Sequence, residues 1–97
     1  MMRIVKLSFH DEYIASFQTL FENRKERIRQ FPGCTYLSLL QDTNDQGVFY
    51  TYSLWQEETD LESYRVSALF QETWAIVKQW FKAAPEAFSA NPLIEIL

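Results

Sequence analysis

Val48-Phe49-Tyr50-Thr51-Tyr52-Ser53-Leu54-Trp55 is crowded with β-branched and aromatic side chains. Gly47 bounds it on one side and Gln56-Glu57-Glu58 on the other, so the eight residues read as a β-strand. Alternate side chains of a strand leave on opposite faces. One face carries Val48, Tyr50, Tyr52 and Leu54; the other carries Phe49, Thr51, Ser53 and Trp55. Neither set has the composition of a solvent face. A strand with two apolar faces belongs in the interior of a sheet that is covered on both sides.

Upstream, Arg3 to Phe9 alternates, with Val5, Leu7 and Phe9 towards the core, and predicts a first strand. His10-Asp11-Glu12 starts a helix, with Asp11 as its cap or first-turn acid. Apolar positions from Tyr13 to Ile28 then recur at helical spacing, counting Arg24 by its aliphatic stem. Phe31-Pro32-Gly33 stops that helix. Cys34 to Gln41 predicts a second strand, with Leu37 and Leu39 on one face and Cys34, Tyr36, Ser38 and Leu40 on the other. The polar run Asp42 to Gly47 is a turn, making a hairpin with the strand that follows.

Downstream, the acidic run Glu57 to Asp60 opens another helix, where negative charge suits the positive end of the helix dipole. Ser67 reads as a second cap, restarting a longer helix through Trp74, Trp80 and Phe81 that Pro85 ends. Phe88 to Ala90 and Leu93 to Leu97, interrupted by Asn91-Pro92, supply a last strand. The order is β-α-β-β-α-β, an α+β, ferredoxin-like unit with an antiparallel four-stranded sheet and two helices on one face. One domain over residues 1–97 is expected. Two helices cover one face only. The apolar side chains of the other face call for a two-fold partner stacked sheet on sheet, hence a homodimer.

The net charge of −4 argues against nucleic acid as a partner. The local basic cluster of Arg24, Lys25, Arg27 and Arg29 falls in the last turns of a helix, where it complements the dipole and is diluted by Glu22 and Glu26. Cys34 stands alone, which fits a reducing compartment and a packed thiol. No window approaches a membrane span, and the first residues lack the apolar core of a secretion signal, so a cytoplasmic protein is expected. The acids Glu57, Glu58, Asp60 and Glu62 read as a solvated helix start rather than a metal site, and His10 as decoration of a helix start.

Phe31-Pro32-Gly33-Cys34 after an amphipathic helix, a strand ending in Trp55, and the spacing Trp55-x5-Leu61-x2-Tyr64-x2-Ser67-x2-Phe70 together resemble the antibiotic biosynthesis monooxygenase (ABM) superfamily. The similarity runs roughly from Met2 to Phe88. The resemblance implies a dimeric α/β barrel, two sheets face to face with the helices outside, and a pocket between each protomer's helices and its own sheet. It also implies two chemistries. Some relatives oxidise quinol-like aromatics with dioxygen and no metal or flavin; others degrade haem. The haem branch relies on an Asn in the first strand, a Trp ending the third and a His on the long second helix. Here Val5, Trp55 and Trp74 stand at those places, so only the Trp is kept and haem is not expected.

With no cofactor expected, the residues must form the site unaided. If Trp55 faces the helices, so do Thr51 and Ser53, two small hydroxyl residues in an otherwise apolar wall. Tyr64 and Trp74, with Trp80, would close the opposite side around a small aromatic ligand. The same aromatics at helical spacing also fit plain core packing, and a ligand-binding or structural dimer without turnover fits the sequence as well.

Overall fold

A computed structural model describes residues 1–97. Four strands form one antiparallel sheet: β1 (Met2–Ser8), β2 (Cys34–Gln41), β3 (Val48–Trp55) and β4 (Glu86–Ala90), in the spatial order β2-β3-β1-β4. Three helices cover one face: α1 (Ile14–Arg29), α2 (Glu58–Arg65) and α3 (Ala68–Val77). This is the ferredoxin-like arrangement, with the second helix of the unit broken in two.

The aromatic strand β3 is interior, flanked by β2 and β1. Its register sets Phe49 opposite Leu7 and Thr51 opposite Val5, so the helix-facing alternation of the two strands coincides. Leu7, Phe9 and Phe49 meet Phe17 of α1 and Val77 of α3 in the main core. Phe9 and Phe17 stack at 4.3 Å between ring centroids. Burial of such rings is worth roughly 2 to 3 kcal/mol each and is the main driving force here.

The break between α2 and α3 follows from Ser67. Its backbone is extended, its hydroxyl accepts the Phe70 N–H at 3.2 Å and donates to the Tyr64 carbonyl at 2.6 Å, so one side chain closes one helix and opens the next. At the start of α2, Glu57 and Asp60 form a reciprocal capping box, which is where that acidic run spends its charge.

Four details depart from expectation. The helix of the N-terminal half begins with a 3-10 turn over Asp11–Tyr13 that no side chain caps. Cys34 faces the helices with Leu37 and Leu39, not the outer side: a bulge between Cys34 and Tyr36 adds one residue and resets the alternation. The long helix ends at Val77, passes through a 3-10 turn over Lys78–Trp80 and becomes extended at Phe81. Tertiary pairing overrides helical propensity there, because His10 N–H bonds the Trp80 carbonyl, Lys82 N–H bonds the Ser8 carbonyl, and Phe81 bridges Phe9. Finally, Leu93–Leu97 is not a strand. Ala90 already pairs with Met2, the first residue of β1, and Pro92 has no N–H for a ladder.

Candidate functional site

Between the helices and the sheet lies a cavity of about 320 Å³. Thr51, Ser53 and Trp55 reach it because they are alternate residues on the covered face of β3. Tyr64 reaches it from the last turn of α2 and Trp74 from the middle of α3. All five residues singled out in the sequence therefore line one space. Trp80 does not; it stacks instead on Tyr13, at 5.7 Å and 13°.

One wall is a run of touching rings. Trp55 stacks on Tyr64 at 5.3 Å, Tyr64 meets Phe70 edge to face at 5.3 Å, and Phe70 stacks on Trp74 at 5.5 Å. Aromatic neighbours at these separations hold one another in place beyond the area they bury. Opposite them, Val5 and Leu37 of the sheet and Phe21 of α1 keep the lining apolar.

The polar groups have distinct states. The Trp55 indole N–H donates to Ser53 Oγ at 2.9 Å, and both residues are buried. The indole is thus committed within the wall, while the serine keeps its own hydroxyl proton to offer. Tyr64 is different: burial, with a smaller contribution from nearby Cys34, pushes its phenol up to about 12. At neutral pH it is a protonated donor and not a base. Cys34 packs against Trp55 and Leu61, and burial raises its thiol as well, as suits a packed side chain rather than a nucleophile. No histidine, aspartate or glutamate lines the cavity.

Sequence reasoning missed Arg3, Arg65 and Thr73, which also line it. Thr73 Oγ1 accepts from Arg24 Nη1 at 2.8 Å and donates to the Leu69 carbonyl at 2.7 Å, tying α1 to α3 across the cavity's end. Arg24 thus contributes its guanidinium and not merely its stem. Others of the basic cluster are also engaged: Arg29 donates to the Cys34 carbonyl at 2.8 Å, and Lys25 pairs with Glu22. His10 lies exposed at the corner after β1.

No helix is long and apolar enough to cross a membrane. Among solved structures, the fold is similar to that of a Nitrosomonas europaea protein, with a TM-score of 0.88 at 18% identity, covering 96% of this chain and 98% of that one. Rv0793 from Mycobacterium tuberculosis is similar with a TM-score of 0.88 at 16% identity, covering 97% and 95% of the two chains. A protein described as an antibiotic biosynthesis monooxygenase is similar with a TM-score of 0.83 at 20% identity, covering 95% and 100%. At such identities the likeness concerns the fold alone. No curated protein matches. The sequence profile of the antibiotic biosynthesis monooxygenase family, however, matches residues 1–76, and the chain belongs to that family.

Proposed function

We propose that this protein is a cofactor-independent monooxygenase of the ABM type, acting on a small, quinol-like aromatic in the cavity between helices and sheet. The observation that carries this reading is the composition of that cavity: a wall of touching aromatic rings, Trp55 to Trp74, with hydroxyls of Thr51, Ser53 and Tyr64 among them. Such a lining excludes water around an electron-rich ring and offers donors to an oxygen atom that gains negative charge during oxidation. In an anthrone-like substrate, which carries a ring CH₂ beside its phenol rings, one atom of dioxygen replaces both hydrogens of that CH₂ as a new carbonyl. The two displaced hydrogens leave with the other atom as water, so neither metal nor flavin is needed for balance.

Oxygen uptake with a panel of hydroquinones and anthrone-like substrates, without added metal or flavin, tests the proposal. Uptake that falls sharply in Trp55→Phe and Tyr64→Phe while the fold persists is expected. A second reading, a small-ligand-binding dimer without turnover, is favoured by the lack of any carboxylate or imidazole in the lining to act as a base. Saturable quenching of tryptophan fluorescence with no uptake on any substrate would establish it and refute the first.

The same reading pairs two copies through the outer face of the sheet. Tyr36 and Leu40 stay 47% and 45% exposed on that face, and Tyr36 packs edge to face on Tyr52 at 5.8 Å. Ile4 and Phe88 extend the patch through their pairing across β1 and β4. Contiguous apolar surface of this kind supports a second sheet stacked upon it.

A further inference from the structure

Two arginines share the cavity, and they are the only charged side chains in its lining. Arg3 alternates with Val5 and Leu7 onto the covered face of β1, an interior strand, where it lies between Ser53 of β3 and Ser89 of β4. Arg65 is the last residue of α2, directly after Tyr64. Arg3 is half-buried and Arg65 exposed, so both guanidiniums stay within reach of water while lining the cavity.

Within the chain, compensation is partial. Arg3 Nη1 donates to Ser89 Oγ at 3.1 Å, a neutral partner, and Arg3 takes part in none of the three ion pairs. Arg65 Nη1 bonds Glu62 Oε1 at 3.1 Å. One carboxylate therefore serves two guanidiniums, leaving one positive charge in excess. Burial lowers the Arg3 pKa, and the Arg65 charge lowers it further against the opposing pull of Glu62, so the two cations are near enough to repel. A guanidinium has five N–H donors in a fork suited to oxyanions, and only one of those of Arg3 is used. All this stands in a protein whose net charge is −4, so the positive character is local to the cavity.

We propose that the cavity takes its aromatic ligand as an anion, a ring-borne carboxylate or phenolate oxygen sitting between Arg3 and Arg65 while the ring lies against Tyr64 and Trp74. This rests on the reading of the cavity as an aromatic-ligand site. It also answers the lack of a base: with no carboxylate or imidazole in the lining, the guanidiniums favour the substrate's own ionised form, the form that gives electrons to dioxygen most readily.

The test is quenching of tryptophan fluorescence by 1-naphthoate and by its neutral isostere 1-naphthamide, together with the absorbance titration of 4-nitrophenol in the presence of the protein. The first pair reports a carboxylate, and the second probe reports a phenolate. Anion binding about tenfold tighter than the neutral form, in either arm, is expected. That preference should collapse in Arg3→Gln and in Arg65→Gln and persist in Arg27→Gln, whose guanidinium lies outside the lining. Neutral and ionised probes binding equally to the natural protein would overturn the inference and leave the aromatic-site reading standing. No quenching by either naphthalene, with no shift for nitrophenol, would remove that reading and the inference together. Because the first comparison uses the unaltered chain, it decides the matter even if Arg3→Gln fails to fold, and Arg65→Gln at a helix end supplies the second variant.

Discussion

Replacing Ser53 with Ala probes whether the wall of the cavity is built as described. Ser53 Oγ accepts the Trp55 indole N–H at 2.9 Å, and the two residues are only 6% and 2% exposed. Alanine removes the acceptor without altering the backbone or the ring. A buried N–H left without a partner costs about 1 to 3 kcal/mol, against a few tenths for the change in strand preference, so roughly 2 kcal/mol of stability is lost. For a chain of 97 residues each kcal/mol moves Tm by about 4 to 8 °C, so thermal unfolding followed by circular dichroism should show a fall of about 8 to 16 °C. Ser53→Thr keeps an oxygen at the same position and should recover most of it. Trp55→Phe destabilises by lost packing, but in that background Ser53→Ala has no indole N–H left to strand. The double variant should therefore be less destabilised than the sum of the two singles, by about 1 kcal/mol or more. A Tm change under about 2 °C in Ser53→Ala, or strict additivity in the double variant, would refute the claim that the indole is committed to Ser53.

Three further outcomes follow from the geometry. Tyr64, held at about 12 by burial against an unfolded value near 10, releases its proton more readily from the unfolded chain, so stability is intact below about pH 10 and falls as pH rises towards 12. That contribution is about 2 to 3 kcal/mol, and urea unfolding across this window should show it diminished in Tyr64→Phe; an unchanged alkaline loss in the variant would contradict the assignment. Gly33 has φ +89°, and a Cβ there would run into the Asp60 side chain, so Gly33→Ala should cost about 2 to 3 kcal/mol in the same assay, with Asp60→Ala relieving part of it. Light scattering at micromolar concentration should give twice the 11.6 kDa mass of one chain, and Leu40→Glu, placing a charge on the outer face, should return it to one.

Strong periodicity made most of the fold legible. β3 announced itself because eight consecutive residues suit a pleated surface, and Ser67 because a hydroxyl between two apolar runs satisfies the helix on either side of it. What stayed hidden were features that local sequence does not encode. The bulge at the start of β2 turned Cys34 inward, and nothing around Thr35 signals an extra residue. Trp80 keeps helical spacing, yet the pull of β1 on the segment just beyond it ended the helix at Val77 and turned the ring towards Tyr13. Arg3 is the instructive case. Arg3 opens the alternating run of β1, and alternation puts it on the side of Val5 and Leu7. Only the register added the decisive fact: β4 pairs along the far side of β1, making it an interior strand, so Arg3, half-buried, lines the cavity instead of a free sheet edge. Water reaches both guanidiniums, so their charge alone carries little cost and what matters is where they stand. Two guanidiniums with N–H donors unused within the chain, beside an apolar and base-free lining, suit a ligand that brings its own negative charge to them and its ring to the aromatic wall.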